Sequence, residues 1–312
     1  MPDAEQIAPE FRPVLEALAS APKIPDSSVE QARAMWDAFL PGEPETLART
    51  TDLVVDGATG PLPARLYRPV ADPAGVALFL HGGGWVLGSL RSHDIAVRAL
   101  AKRSGWAFLA VEYRLAPETP FPGGLEDCFA ALRWLSSARP QLDLAGKPII
   151  VVGDSAGGNL AAAVAILARD RRGPELAGQI LIYPAVDGRQ AAPSYSERSD
   201  GGLLTAADMA WFWNHYAPEE SALSPLASPL LHADLTGLPP AIIVTAEFDP
   251  LRDEGRDYAA ALRKARVPTE EIHCSDLPHG FLTFASISPS SDRAVTAIAG
   301  QIMSLSNQGT EQ

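Results

Sequence analysis

The sequence predicts an α/β fold in which helices flank an eight-stranded, mostly parallel sheet. After the third apolar run, strand-like runs alternate with helical patterns over most of the chain, which indicates parallel strands joined by helical crossovers. The first two runs are joined only by DGATGPLP, which is too short for a crossover, so we expect that pair to be antiparallel. The predicted strands lie near residues 51–56, 62–68, 76–80, 106–113, 149–153, 179–183, 241–247 and 270–274.

Two segments lie outside this alternation. Residues 1–45 contain the helical pattern SSVEQARAMWDAFL, which we expect a capping box of Ser27 and Glu30 to open. Residues 187–239 separate the sixth predicted strand from the seventh, above the carboxyl ends of the strands, where α/β proteins bind ligands. We therefore expect both segments to lie over a functional site.

The most informative motif is Gly-x-Ser-x-Gly at residues 153–157, which joins the strand-like run IIVV to the helical run LAAAVAILA. A serine at such a turn lies on strained backbone with its hydroxyl exposed, and the glycines let the strand and the helix approach closely. Ser155 is therefore the predicted nucleophile. Because the pentapeptide also occurs in purely structural turns, this prediction depends on the partner residues.

A second glycine-rich turn, HGGGW at residues 81–85, follows the apolar run VALFL. Acyl transfer needs N–H donors aimed at the oxygen that becomes negative, and consecutive glycines leave such donors accessible. We predict that the N–H groups of Gly82, Gly83 and Ala156 form this oxyanion hole. A phosphate-binding loop is the alternative, but the turn lacks the Lys-Ser/Thr pair and the spacing of the known phosphate-binding motifs.

The nucleophile needs a base, and the chain has six histidines. His279 stands in DLPHGF, just after the last predicted strand, where a C-terminal loop presents the base in hydrolases of this architecture. A histidine before glycine can also simply make a loop hydrogen bond. The other histidines lie in the glycine-rich turn, in predicted helices, in a loop and in a strand, namely His81, His93, His215, His232 and His273.

The acid that orients this base is expected in AIIVTAEFDPLRDEG, after the seventh predicted strand. Asp249 is the preferred candidate because it lies just past the strand. Glu247 is held in reserve, since period-two alternation places it on the same side as Asp249. Asp253 and Glu254 are expected in the first turns of the next helix, where negative charge favours the helix dipole.

These motifs together resemble those of the bacterial hormone-sensitive-lipase-like carboxylesterases, called family IV, of the α/β-hydrolase superfamily. HGGGW, EYRLAPE, GDSAGGN, DPLRDEG and HGF occur in the order and spacing typical of that family, over roughly residues 45–305. The resemblance implies an α/β-hydrolase fold and a serine carboxylesterase for short- to medium-chain acyl esters. Ser155, Asp249 and His279 match the positions of that family's triad.

The resemblance also implies a domain division. Residues 1–45 and the insertion 187–239 would form a helical cap, and residues 46–186 and 240–312 the catalytic domain. By analogy, the HGGGW turn, which we call the oxyanion turn, would be braced by three residues of EYRLAPE, namely Tyr113, Arg114 and Glu118. Two alternatives stay open: the same triad can act on amides, thioesters or carbamates, and hydrolase folds also occur as receptors without catalysis.

The composition limits the classes of partner and cofactor. The 312 residues carry a formal charge of −13, which argues against binding nucleic acid or an anionic membrane. The start MPDAEQIAPEF does not have the pattern of a secretory signal, and no apolar run is long enough for a membrane span, so we expect a cytoplasmic enzyme. Cys128 and Cys274 are expected to be buried thiols, and no ligand spacing predicts a metal or another cofactor.

The sequence indicates less about the substrate pocket and the assembly. Trp211 lies in the aromatic run MAWFWNHY of the insertion, and Trp36 and Phe39 lie in the first segment. We expect these three side chains and Trp85 to line a pocket for a small-molecule ester, with plain packing as the alternative. Similar esterases often dimerise through the last strand, here EEIHC, so a homodimer is expected about as readily as a monomer.

Overall fold

The computed structural model describes residues 6–39, 42–199 and 202–307. All eight predicted strands are present, each within a few residues of its predicted bounds, so the predicted α/β-hydrolase architecture is confirmed. The strands are β1 (Arg49–Asp56), β2 (Pro61–Arg68), β3 (Val76–Leu80), β4 (Ala107–Val111), β5 (Ile149–Asp154), β6 (Gly178–Ile182), β7 (Ala241–Phe248) and β8 (Thr269–Pro278).

The strands form one sheet in the order β1-β2-β4-β3-β5-β6-β7-β8. β1 pairs with β2 in antiparallel orientation, as predicted, and β2 pairs with β4 in the same way. All neighbours from β4 to β8 are parallel, so their carboxyl ends meet at one edge of the sheet. That edge is where loops of this fold carry ligand-binding residues.

Nine α-helices occur in the described parts of the chain. They are α1 (Arg12–Ala19), α2 (Val29–Ala38), α3 (Asp94–Ser104), α4 (Gly123–Ala138), α5 (Ala156–Asp170), α6 (Pro193–Glu197), α7 (Ala206–Tyr216), α8 (Arg252–Lys264) and α9 (Pro289–Asn307). Short 3-10 helices occupy Pro9–Phe11, Ile24–Asp26, Glu219–Leu223, Pro229–Leu231 and Phe281–Phe284. The crossovers of the parallel strands contain α3, α4, α5 and α8, while α6 and α7 belong to the insertion.

The predicted capping box of the first segment is wrong by one residue. α2 begins at Val29, so its N-cap is Ser28, whose hydroxyl accepts the Gln31 N–H at 3.3 Å. The Gln31 side chain accepts the Ser28 N–H in return, at 2.9 Å. Glu30 instead accepts a hydrogen bond from the Ser28 hydroxyl. Two adjacent serines, each followed three residues later by a residue that can close the box, made the position ambiguous.

The core lies on both faces of the sheet. β3, β4, β5 and β6 are buried along their whole length, as expected for parallel strands covered by helices on each side. The alanine-rich α5 is buried from Ala156 to Ala168, since its small side chains let it pack tightly on the sheet. Cys128 in α4 and Cys274 in β8 are both buried and free. Among the described helices, none is long and apolar enough to cross a bilayer.

Candidate active site

The predicted nucleophile lies at a sharp turn between β5 and α5. Ser155 has φ 55° and ψ −120°, a strained conformation for a residue with a side chain. A Cβ atom on Gly157 would lie 1.9 Å from the carbonyl oxygen of Leu80, so only glycine fits where the helix passes the end of β3. The close approach of strand and helix therefore holds Ser155 in this conformation at the carboxyl edge of the sheet.

The predicted acid and base follow two neighbouring strands. Phe248 of β7 is paired with Pro278 of β8, so the next residues, Asp249 and His279, lie side by side. The His279 N–H donates to the Phe248 carbonyl at 3.2 Å, which holds the two loops together. The pairing of β7 with β8 thus brings together residues that are thirty positions apart in the sequence.

The side chains of these residues form a continuous chain of hydrogen bonds with Ser155. His279 Nε2 lies 2.9 Å from Ser155 Oγ, and His279 Nδ1 lies 2.7 Å from Asp249 Oδ2. The second oxygen of Asp249 accepts the Leu251 N–H at 2.8 Å, and the carboxyl is fully buried. Because Asp249 accepts from Nδ1, the neutral imidazole carries its proton there and leaves Nε2 free to accept the serine proton.

Glu247, the reserve candidate for the acid, does not contact His279. Its carboxylate contacts Arg198 at 2.7 Å, Arg252 at 2.8 Å and His273 at 3.2 Å. The pairing of β7 and β8 is irregular between Ala246 and Phe248, so simple alternation does not hold there. Asp253 and Glu254 lie in the first turn of α8, as predicted.

The sequence-based choice of Gly82 as an oxyanion donor does not agree with the structure. Its N–H donates to Asp154 Oδ1 at 2.9 Å, so this donor already has an acceptor within the protein and is not directed at a substrate. The N–H groups of Gly83 and Gly84 donate to no acceptor within the described residues. The sequence signal that was missed is Asp154 itself, an ionisable residue directly before the nucleophile.

The predicted pocket residue Trp85 is a packing residue in this structure. It is 1% exposed, and its ring stacks on Tyr216 of α7 with centroids 4.2 Å apart and planes 4° apart. Trp213 of the same helix lies against it at 4.5 Å. Trp85 therefore joins the oxyanion turn to the insertion, as the packing alternative proposed.

The other predicted pocket residues lie on different elements. Trp36 and Trp211 are half-buried against the core, and Trp211 also contacts Phe212 and His215. Phe39 is 47% exposed and lies 5.6 Å from the ring of Phe284. Their role toward a substrate remains a prediction.

Of the three EYRLAPE residues expected to brace the HGGGW turn, Tyr113 contacts it directly and Glu118 is linked to it only through Arg33 of α2. The Tyr113 hydroxyl donates to the His81 carbonyl at 2.7 Å. Glu118 binds Arg33 of α2, which also donates to the Val86 carbonyl at 2.9 Å. Arg114 points elsewhere and pairs with Asp127 of α4 at 2.7 Å. Tyr113 thus braces the start of the turn, and Arg33 and Glu118 hold its end.

Comparison with known proteins identifies the family. A family described as having the alpha/beta hydrolase fold matches residues 77–283. Carboxylesterase NlhH of Mycobacterium tuberculosis is 39% identical over 298 residues, which cover 92% of this chain and 93% of that protein. The chain belongs to the family IV α/β hydrolases.

Further similarities of this α/β hydrolase extend over nearly its whole length. Ethyl acetate hydrolase of Pseudomonas putida is 36% identical over 302 residues, covering 91% of this chain and 94% of that protein. The solved structure of a hyperthermophilic esterase from the archaeon Pyrobaculum calidifontis superposes with a TM-score of 0.88 at 40% identity. That similarity covers 96% of this hydrolase and 98% of the archaeal chain.

Proposed function

We propose that this α/β hydrolase is a serine carboxylesterase that hydrolyses short- to medium-chain acyl esters through an acyl-enzyme. The observation that carries the proposal is the chain of hydrogen bonds from Ser155 through His279 to Asp249, at 2.9 and 2.7 Å. Relatives named carboxylesterase and ethyl acetate hydrolase support an ester as the substrate and a small acyl group.

The first half of the reaction forms the acyl-enzyme. His279 Nε2 takes the hydroxyl proton as Ser155 Oγ attacks the ester carbonyl carbon, and the carbonyl oxygen becomes negative. Asp249 stabilises the imidazolium and keeps the ring in its orientation. When the tetrahedral intermediate collapses, His279 gives its proton to the alcohol oxygen, and the alcohol leaves.

The second half releases the acid. A water molecule gives a proton to His279 and attacks the acyl carbon, and the collapse of the second intermediate returns the proton to Ser155 Oγ. The same three residues therefore serve both halves, and no group outside the protein and water is required.

The negative oxygen is stabilised by backbone N–H groups of Gly83, Gly84 and Ala156. Ala156 is the first residue of α5, and the first N–H groups of a helix have no acceptor within it. The helix dipole adds positive potential at the same point. Gly84 takes the place that the sequence had assigned to Gly82.

Residues 1–45 and 187–239 act as the cap in this proposal, apart from the positions outside the described residues. We assign contacts with the acyl or alcohol group to Trp36, Phe39 and Trp211. A cytoplasmic location and a homodimer through β8 stay predictions. β8 is the last strand of the sheet in the described residues and pairs with β7 on one side. The Ala8 N–H donates to the carbonyl of Asp276 in this strand at 2.8 Å.

Hydrolysis of p-nitrophenyl esters from acetate to palmitate tests the proposal. We expect the protein to turn over the short esters, and Ser155→Ala to lose about 10⁶-fold in kcat, as removal of a triad nucleophile does. Ser104→Ala is the matched control, because Ser104 is also buried but lies at the end of α3. Equal inactivity of the protein and Ser155→Ala on every ester would contradict the proposal, and faster turnover of a matched amide would favour an amidase.

A further inference from the structure

Beneath the oxyanion turn lies a buried polar cluster that the proposed steps do not use. It consists of Asp154, His81, His93 and Tyr113, each at most 4% exposed. The ring of His81 stacks on Tyr113 with centroids 4.4 Å apart, and His93 Nε2 lies 3.5 Å from Asp154 Oδ1. Burying ionisable groups is costly unless they are paired, so their presence next to the nucleophile calls for a reason.

We propose that Asp154 is a positioning residue that orients the oxyanion loop, residues 81–86, so that the N–H groups of Gly83 and Gly84 point at the substrate. This inference rests on the proposed function and deepens it. Asp154 touches no reacting atom in this account. It acts through the backbone of Gly82, and His93 Nε2 lies 3.5 Å from the same carboxylate oxygen.

The pairing of the strands places the carboxylate against the loop. β3 and β5 are parallel neighbours with Leu80 opposite Gly153, so the residues just beyond them meet. Asp154 Oδ1 accepts the Gly82 N–H, and a Cβ atom on Gly82 would lie 2.5 Å from Asp154 Oδ2. Gly82 is therefore glycine because the carboxylate packs directly on its Cα atom.

Two successive peptide planes are held by this cluster. In the peptide that joins His81 to Gly82, the carbonyl accepts the Tyr113 hydroxyl and the N–H donates to Asp154. In the next peptide, the Gly82 carbonyl lies 2.8 Å from His81 Nδ1. A peptide is planar and trans, so its N–H points opposite to its carbonyl. Holding the Gly82 carbonyl on the cluster therefore turns the Gly83 N–H away from the cluster.

The third peptide, between Gly83 and Gly84, is held in the same way by the residue that follows the loop. The Gly83 carbonyl accepts the Leu87 N–H at 2.8 Å, so the Gly84 N–H of that peptide also points away from its bound carbonyl. Asp154 thus fixes the peptide between His81 and Gly82. The next two peptides carry the proposed donors, the N–H groups of Gly83 and Gly84. An oxyanion hole stabilises a transition state only if its donors are aligned before the reaction.

The charge on Asp154 suits this role. Burial raises the pKa of the Asp154 carboxyl, but the neighbouring His93 and the Gly82 N–H outweigh it, and the pKa lies below its usual value. The group is therefore ionised at neutral pH. A hydrogen bond to an ionised acceptor is about twice as strong as one to a neutral acceptor, which makes the anchor rigid.

The test compares Asp154→Asn with the unaltered protein at 25 °C, using p-nitrophenyl acetate and an aryl trifluoromethyl ketone. The ketone adds to Ser155 and places a negative oxygen in the oxyanion hole. We expect kcat to fall about 10- to 100-fold, somewhat less than the loss of a whole donor, and the inhibition constant to rise by a similar factor. KM should change less than about threefold, because the ground-state ester depends little on the hole.

Asp127→Asn is the matched control, because Asp127 is also buried, accepts backbone N–H groups and pairs with a cationic side chain, Arg114. It should lower the melting temperature and leave kcat and the inhibition constant within about threefold. Tyr113→Phe is the second variant, since it releases the same peptide from its carbonyl side, and it should lower kcat about three- to tenfold. It also keeps the test decisive if Asp154→Asn does not fold.

The outcomes separate the two proposals. An unaltered protein without esterase activity would overturn the proposed function. An active protein in which Asp154→Asn or Tyr113→Phe keeps kcat and the inhibition constant within twofold would overturn the positioning role alone. A change confined to KM, or to the melting temperature, would do the same.

Discussion

The two ends of the oxyanion loop are held by different kinds of contact. At Gly82 the contacts come from buried groups at the ends of strands, namely Asp154, His81 and Tyr113. At Val86 they come from Arg33, whose side chain is 30% exposed and whose partner Glu118 is 61% exposed. Buried hydrogen bonds to ionised groups contribute more than exposed ion pairs, so the contacts at the Gly82 end should control catalysis and those at the Val86 end should adjust it.

The largest effect should come from the buried acid of the hydrogen-bonded chain, against which the two ends of the loop can be compared. Asp249→Asn keeps the shape of the acid but stabilises the wrong tautomer of His279, and we expect kcat to fall about 10⁴-fold. The matched control is Glu247→Gln, which should lower the melting temperature because it weakens the contacts to Arg198 and Arg252, but should leave kcat within a few-fold. Steady-state kinetics on p-nitrophenyl acetate measures both, and equal losses would reopen the choice of acid.

The next largest effect should come from Gly84, which lies between the two ends of the loop. Gly84 has φ +58°, and a Cβ atom there would lie 2.1 Å from the ring of Phe212 in α7. Gly84→Ala should shift the loop or the ring and lower kcat about 100-fold, as loss of one oxyanion donor does. Gly105→Ala is the control, because Gly105 has φ +70° with open space around it. Equal kcat values for both variants would argue against Gly84 as a donor.

The buried groups at the Gly82 end should also make the stability of the fold depend on pH. Burial, and then the nearby His93, lower the pKa of His81 to about 3, against about 6.5 for an exposed histidine. The unfolded chain therefore binds the extra proton first as pH falls from 6.5 to 3, and the folded state loses stability over that window. The slope should be at most about 1.4 kcal/mol per pH unit.

Urea unfolding of the protein and of His81→Asn between pH 7 and 4 measures this contribution. The variant lacks the titrating ring, so its free energy of unfolding should fall less steeply with acid. His232→Asn, in a loop of the insertion, is the control for replacing a histidine outside the buried cluster. Parallel slopes for all three proteins would contradict the effect of burial on His81.

The smallest effect should come from the Val86 end of the loop. Arg33→Ala removes the hydrogen bonds to the carbonyls of Val86 and Ala116 as well as the pair with Glu118, and should lower kcat/KM about three- to tenfold. Glu118→Gln removes only the exposed pair and should stay within about threefold. A loss in Glu118→Gln as large as that in Arg33→Ala would mean that the ion pair, not the carbonyl contacts, holds the loop end.

Much of this site follows from local sequence. The run IIVVGDSAGGN indicates a strand, a turn and a helix, and a Cβ atom on Gly153 would lie 2.1 Å from the carbonyl oxygen of Gly157 within that same turn. Short segments that end strands also pointed to Asp249 and His279, because parallel strands present their carboxyl ends at one edge. The capping box is the exception among local features, since Ser27 and Ser28 are both suitable N-caps.

The amino-acid order alone was enough for the fold class and the strands, and it pointed to Ser155, Asp249 and His279, because apolar periodicity and glycine turns act over a few residues. The contacts between distant segments were decided by the tertiary structure. The pairing of β3 with β5 placed Asp154 on Gly82, and the irregular pairing of β7 with β8 turned Glu247 toward two arginines. Such contacts depend on strand register and on which side chains already have hydrogen-bond partners. A local sequence pattern predicts neither of these.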